Sequence, residues 1–329
     1  MSSPIFEPSN RLPSPPDHPV HASLSPVGSP SAADPPANLW QATRRALEMI
    51  KFSHTLFALP FALLGAALAA KGPDGWRGRP QDFVGILICM ATARSAAMAF
   101  NRLVDRRYDA ANPRTANRHL ATGALSVNFA RLFALTNTGL FIAATSLFLP
   151  NWLPLALSVP VLLWLLGYSY AKRFTSLAHY WLGLALGMAP LAAWIALRGD
   201  VAWTPVILSA VVLFWVGGFD IIYACQDVDF DRAVGLRSIP ARLGVSRALW
   251  VARMSHALML VCLLILGQAA GLGWIYHLGV AVVALVLLAE HLVVRSDDLA
   301  RINLAFFQLN VVISVGLLMV GLLDLTFLG

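Results

Sequence analysis

Long apolar runs separated by short polar breaks set the pattern of this chain. The runs fall near 52–70, 83–103, 126–148, 152–170, 177–197, 203–224, 248–269, 272–294 and 304–328. Each is close to the ~20 residues that carry a helix across a bilayer. They predict an all-α integral membrane protein with nine transmembrane helices, whose termini lie on opposite sides. Connections after the third and seventh runs are very short, around Pro150-Asn151 and Gly271-Gly273, whereas those after the second and sixth are long and polar. One face is therefore expected to be plain and the other functional.

Ahead of the first run the character changes. Residues 1–37 hold ten of the 20 prolines and many serines, without an apolar run that could form a signal-peptide core. They are expected to be a disordered tail, leaving 38–329 as the membrane domain. Around Trp40, Leu47 and Ile50 apolar residues share one side of a helix, with Arg44, Arg45 and Glu48 on another. That is the signature of a short helix lying at a membrane surface.

Composition supports this picture. Of 329 residues, 58% are hydrophobic and 12% charged, about half the roughly 25% charge of a soluble domain. The net charge of +7 would raise nucleic-acid binding in a soluble protein, but its placement gives a different reason. With the N-terminus in the cytoplasm, 19 of the 24 Lys and Arg fall on the cytoplasmic face, as short retained loops require. No nucleic-acid partner is needed. Cys89, Cys225 and Cys262 lie in apolar segments, lack metal-ligand or disulfide spacing, and read as buried thiols.

The acids are more telling, because six of the 17 sit in two places. After the second run, Asn101, Asp105 and Asp109 stand at i, i+4 and i+8, one stripe of a helix with about 6 Å of rise between neighbours. After the sixth, Asp220, Tyr223, Asp227 and Asp231 have offsets of 0, 3, 7 and 11, which fall within roughly 80° of helix surface. Asp229 would point away. Two carboxylates about 6 Å apart repel by roughly 3 kcal/mol at an effective dielectric of about 20, so such stripes favour a cation between them. Mg²⁺ is typically shared between one or two carboxylates and phosphate oxygens of a substrate, and the nearby Arg and Lys suit the remaining phosphate charge. The alternative is a set of solvated loop ends paired with neighbouring arginines. Two stripes on one face, in a chain otherwise poor in acid, favour a metal-diphosphate site at the cytoplasmic mouth.

Arg94 lies inside an apolar run, where an arginine costs at least ~2.5 kcal/mol and usually faces a partner or a polar cavity. It precedes Asn101 by seven residues and so shares its face, deeper in the bundle; the other reading is snorkelling to the interface. Glu290 and His291, near the end of the eighth run, read as interfacial.

Taken together, the two stripes resemble the UbiA superfamily of intramembrane prenyltransferases over nearly everything after residue 45. The family forms N-x-x-x-D-x-x-x-D and D-x-x-x-D are met by Asn101, Asp105 and Asp109 and by Asp227 and Asp231. Further similarity lies in Arg114-Thr115-Ala116-Asn117-Arg118, in Tyr168 with Lys172-Arg173-Phe174-Thr175, in Leu182-Gly183-Leu184-Ala185 and in Asp220-Ile221-Ile222-Tyr223-Ala224-Cys225-Gln226-Asp227. The resemblance implies a UbiA-type helical bundle that binds an allylic polyprenyl diphosphate through Mg²⁺, ionises its C–O bond and lets an aromatic acceptor capture the carbocation. The apolar tail would lie between helices open to membrane lipid, in a multi-pass protein of the inner membrane with its site facing the cytoplasm.

By the same resemblance Asn101, Asp105, Asp109, Asp227 and Asp231 would organise metal and diphosphate. Arg94, Arg102, Arg118 and Lys172 would contact diphosphate or the acceptor carboxylate, Tyr168 and Tyr223 would shape the pocket, and Asp220 and Arg237 join the substrate-binding set. Two departures from many 4-hydroxybenzoate enzymes are Lys51-Phe52-Ser53-His54-Thr55 in place of Asp-Lys-Pro, and His119 in place of a Pro after Arg118. The stretch from Phe52 to Pro60 looks more like a 4-hydroxybenzoate polyprenyltransferase-like branch, some of whose members prenylate a dihydroxynaphthoate. The expected activity is aromatic polyprenyl transfer to 4-hydroxybenzoate or a related hydroxyaryl carboxylate in ubiquinone or menaquinone biosynthesis. Haem- or chlorophyll-type prenyl transfer and, from another class, a cation-coupled transporter remain as alternatives; a transporter would place ionisable groups near the midplane of broken helices, whereas these sit at span ends.

Overall fold

A computed structural model of the chain describes residues 38–49, 55–72, 75–76, 78–294 and 308–327. The expected tail over 1–37 and the Lys51-Phe52-Ser53-His54 departure lie outside the described residues.

The apolar runs become helices wherever they are described. α1 (Leu39–Met49) and α2 (Thr55–Ala70) precede α3 (Pro80–Ala111), α4 (Val127–Thr145), α5 (Leu153–Phe174), α6 (Ala178–Arg198) and α7 (Trp203–Ala224). Two short helices, α8 (Val228–Ala233) and α9 (Ile239–Leu243), lead into α10 (Val245–Ala269), α11 (Trp274–Val293) and α12 (Asn310–Phe327). Eight of the described helical segments are long and apolar enough to cross a membrane; α2 is apolar but shorter. The all-α expectation is met apart from an antiparallel pair of two-residue strands, Lys71–Gly72 and Gly75–Trp76.

Side-chain size decides how these helices pack. α7 sits at the centre, with Leu208, Val211, Val212, Trp215 and Val216 fully buried against Phe61 of α2, Met259 and Leu263 of α10 and neighbours on α11 and α12. α6 approaches it closely because Gly183 and Gly187 face its backbone. A Cβ at Gly187 would stand 2.7 Å from the Ser209 carbonyl oxygen, and one at Gly183 would meet the Leu213 carbonyl oxygen still more closely. This small-x-x-x-small spacing lets two membrane helices touch backbone to backbone. Outward-facing Leu, Val and Trp residues are exposed along α4, α5, α10 and α11, as a lipid-facing surface requires.

α1 forms as expected, with one adjustment. Ala46 and Met49 are buried against α3 and α4, Arg45 donates to the Ala124 carbonyl at 2.7 Å, and Trp40 and Leu47 are exposed. The reading of Glu290 as interfacial is corrected: it is 1% exposed and faces the interior of the bundle. Its neighbour His291 is half-buried, with Nε2 3.0 Å from Nδ1 of the buried His256.

Chain direction positions the site. α3, α5 and α7 all run toward the same end, and the two long connections, 112–126 and 225–244, cross over it. At the opposite end, basic residues cap carbonyls: Arg198 donates to Ala69 at 2.7 Å and Lys71 to Leu325 at 3.0 Å.

Candidate active site

α3 outruns the ~20 residues a bilayer needs, so its last turns project beyond the apolar layer. Those turns carry Asn101, Asp105 and Asp109, and the helical spacing aims all three into one polar cavity of about 280 Å³. The second stripe reaches the same cavity by a different path. α7 ends at Ala224, a 3₁₀ turn covers Cys225–Asp227, and α8 starts at Val228. Despite that interruption Asp220, Tyr223, Asp227 and Asp231 all line the cavity, while Asp229 is exposed.

Each carboxylate has a cationic or imidazole partner. Arg118 donates to Asp109 at 2.6 Å, and Arg173 lies 3.4 Å from Asp105, which also accepts from Asn101 at 2.8 Å. Arg114 forks onto both oxygens of Asp227, with its Nε 2.8 Å from Oδ1, and donates to the Tyr223 hydroxyl at 2.6 Å. Asn112 adds a 3.0 Å bond to the same Asp227 oxygen. Burial works against the Arg114 charge, but its bonds to Asp227 and Tyr223 outweigh that and hold the guanidinium protonated more firmly than usual. Lys172 stands 3.6 Å from Asp231, whose Oδ2 is buried without a hydrogen bond. Asp220 pairs with the ring of His179 at 2.7 Å.

Two tiers follow from these distances. Asp227 is clamped by a guanidinium fork and Asp109 by a single 2.6 Å bond from Arg118, whereas the cations facing Asp105 and Asp231 stand farther off, at 3.4 and 3.6 Å, and leave those carboxylates more capacity for a new cation. Among the described residues no three His, Cys, Asp or Glu side chains are gathered as a ready-made metal cage. That suits Mg²⁺, which takes one or two carboxylates and completes its octahedron with water and substrate phosphate oxygens. The hard oxygen donors fit such an ion, as does the buried Asp231 Oδ2, which accepts no hydrogen bond and, among the described residues, has only Lys172 at 3.6 Å.

A second, larger cavity of about 530 Å³ opens behind the first. The two share Met98, Asn101, Tyr168 and Leu182 as common walls. The deep cavity is apolar, bounded by residues such as Ile86, Phe141, Phe148, Trp164 and Ala193, and Arg94 is the one charged side chain among its described lining residues.

Of the residues picked from the sequence, Asn101, Arg102, Asp105, Asp109, Arg118, Tyr168, Lys172, Asp220, Tyr223, Asp227 and Asp231 meet at the polar cavity. Arg94 lines the deep one, so it faces a chamber and does not snorkel. Arg237 is a correction. It lies outside both linings, its guanidinium donating to the Phe174 carbonyl at 2.8 Å and so capping the end of α5. Sequence reasoning missed Asn112, Arg114, Arg173 and His179. Arg114 and Arg173 stood inside the matching text with nothing to mark them as partners of Asp227 and Asp105.

The model of the UbiA prenyltransferase family matches residues 58–312. The chain belongs to that family. It is 33% identical over 252 residues to a 4-hydroxybenzoate octaprenyltransferase of Nitrosomonas eutropha, covering 75% of this chain and 84% of the relative. With its counterpart in Nitrosomonas europaea it shares 32% over 278 residues, covering 83% and 91%. The apo structure of a UbiA homologue from Aeropyrum pernix superposes with a TM-score of 0.73 at 33% identity, over 82% of this chain and 97% of that one. A homologue from Archaeoglobus fulgidus, solved with GPP and Mg²⁺, shares the fold at 19% identity and a TM-score of 0.62, over 86% and 99%. This UbiA-family chain is thus a multi-pass membrane prenyltransferase, and the transporter reading has no support.

Proposed function

We propose that the protein transfers a polyprenyl group from an allylic polyprenyl diphosphate to the ring of 4-hydroxybenzoate or a related hydroxyaryl carboxylate, with Mg²⁺, in ubiquinone or menaquinone biosynthesis. One observation carries this reading: a polar cavity walled by two acidic stripes and five cations opens directly onto an apolar chamber. A diphosphate head fits the first and a prenyl tail the second. The relatives named 4-hydroxybenzoate octaprenyltransferase support this acceptor class.

Asn101, Asp105, Asp109, Asp227 and Asp231 are the residues that would hold the metal, and the chemistry a bound Mg²⁺ supplies is neutralisation of the diphosphate as its C–O bond breaks. Arg102, Arg114, Arg118, Lys172 and Arg173 bind the remaining charge of the leaving group from fixed positions, so little reorganisation is needed when that charge develops. Tyr168, on the shared wall, borders the passage between head and tail. Arg94 reaches into the chamber, where its guanidinium is the group that would bind an acceptor carboxylate. The apolar lining of the chamber disfavours water near the carbocation before the ring captures it.

We take α2 as a ninth span, the N-terminus as cytoplasmic and the polar cavity as opening to the cytoplasm of an inner membrane. The excess of basic residues at the site end supports that orientation. Membranes containing the protein, given Mg²⁺, an allylic diphosphate and 4-hydroxybenzoate or a dihydroxynaphthoate, should yield the prenylated ring by mass spectrometry. Absence of product from every acceptor, in membranes that hold folded protein, refutes the reading.

A further inference from the structure

Electrophilic substitution on an aromatic ring releases a proton, and the lining of the site offers one carboxylate that no cation occupies. Asp105, Asp109, Asp227 and Asp231 face Arg173, Arg118, Arg114 and Lys172. Asp220 instead faces His179, with Nδ1 2.7 Å from Oδ2. The other His179 nitrogen, Nε2, accepts from the backbone N–H of Ile239 at 3.3 Å. An accepting Nε2 carries no proton, so the neutral ring is protonated at Nδ1 and donates to Asp220. The imidazole is fully buried between α6 and the start of α9, while Asp220 lines the polar cavity one and two turns below Tyr223 and Asp227.

We infer that His179 is a positioning residue that orients the Asp220 carboxylate, and that Asp220 collects the proton lost by the acceptor ring. This rests on the aromatic prenyl transfer proposed above. In that step the allylic C–O bond breaks and its electron pair leaves with the diphosphate. Ring π electrons form the new C–C bond, the C–H electron pair at the same carbon returns to the ring, and the proton passes to Asp220. No oxidant or reductant is involved. His179 keeps Oδ2 engaged and so leaves the second oxygen, Oδ1, for the cavity. Ionisation of the diphosphate does not need this dyad, which makes the two halves of the reaction separable.

Two substitutions split the roles of the ring nitrogens. His179→Asn places an amide donor near Nδ1 and keeps the bond to Asp220. His179→Gln places its amide near Nε2, where it keeps the link to Ile239 and loses the donor to Asp220. The test measures, for parent and both variants in membranes, kcat, the KM for diphosphate, thermal stability, and the effect of deuterium at the ring carbon that receives the prenyl group. The expected result is a roughly 10- to 100-fold lower kcat for His179→Gln with an unchanged diphosphate KM, a normal deuterium isotope effect absent from the parent, and diphosphate release exceeding ring prenylation. His179→Asn should restore most of the rate. If His179→Gln runs at the parent rate, or if both variants lose rate, diphosphate affinity and thermal stability alike, His179 only packs the core and the inference is overturned. A parent that prenylates no ring overturns the functional reading and this inference together, whereas an active parent with either of the other outcomes overturns this inference alone.

Discussion

The two cavities that meet at Asn101 and Tyr168 are built on opposite rules. In the polar one every acid is paired, and the binding groups come from α3, α5, α7, α8 and the loop after α3. The apolar one is a matter of volume, with Arg94 the one charged side chain among its described lining residues. Electrostatics in the first acts on a small, highly charged head; shape in the second acts on a long neutral tail and tolerates change in proportion to the space removed. Substitutions in the two should therefore fail in different ways, abruptly at the mouth and gradually in the chamber.

The largest effect is expected at the loosely held carboxylates. Asp105→Ala or Asp231→Ala removes an oxygen that stabilises charge only as the diphosphate departs, and such losses cost roughly 10²- to 10³-fold in kcat. Product formation across a Mg²⁺ titration checks this, and higher Mg²⁺ should recover part of the rate. Parent-like turnover in both variants would break the assignment of the mouth to metal and diphosphate.

Arg114→Ala comes next and tests whether the clamped tier differs from the loose one. It strips the guanidinium fork from the buried Asp227 and leaves Asn112 as its remaining described hydrogen-bond donor. An unsatisfied buried acceptor costs about 1–3 kcal/mol, so the protein should unfold several degrees lower as well as lose turnover. Asp105→Ala, whose partner Arg173 is partly exposed, should leave the unfolding temperature nearly unchanged. Thermal unfolding in detergent distinguishes the two.

In the chamber the response should depend on the substrate. Ala93→Phe places a ring in the deep cavity, and overpacking of this kind costs about 1–3 kcal/mol. With the shortest diphosphates turnover should be close to that of the parent, while KM for long-chain diphosphates rises roughly tenfold. An equal loss for all chain lengths would mean that the tail lies elsewhere.

How much of this was legible in the sequence follows from distance along the chain. Asn101, Asp105 and Asp109 share one helix, so their convergence is a consequence of periodicity alone. Helical spacing puts Asp220, Tyr223, Asp227 and Asp231 on one face; a 3₁₀ turn intervenes at Cys225–Asp227, and the face survives it because that turn is short. The Arg114–Asp227 pair joins residues 113 apart, and His179 meets Asp220 across 41 residues. Those contacts depend on how α6 and the loop after α3 fold over α7, which local pattern does not encode. Glu290 shows the same limit from the other side. Its place near a helix end suggested an interface, but only the packing of α11 reveals that it points inward.

Arg237 gives the smallest expected effect and the sharpest check on where the mouth ends. Its charge and its place after the second acidic stripe fit a diphosphate ligand, yet its backbone N–H donates to the Lys172 carbonyl at 2.6 Å and its guanidinium to the Phe174 carbonyl. Both bonds tie the loop between α8 and α9 to the end of α5, the helix that carries Lys172. Arg237→Ala removes only the side-chain bond, worth about 0.5–1.5 kcal/mol, and leaves the cavity lining intact. Turnover should fall by less than about threefold, with the diphosphate KM unchanged. A rise in that KM comparable to the one expected for Lys172→Ala would mean that Arg237 swings into the mouth when the diphosphate binds, and the boundary drawn between binding residues and helix caps would have to move outward.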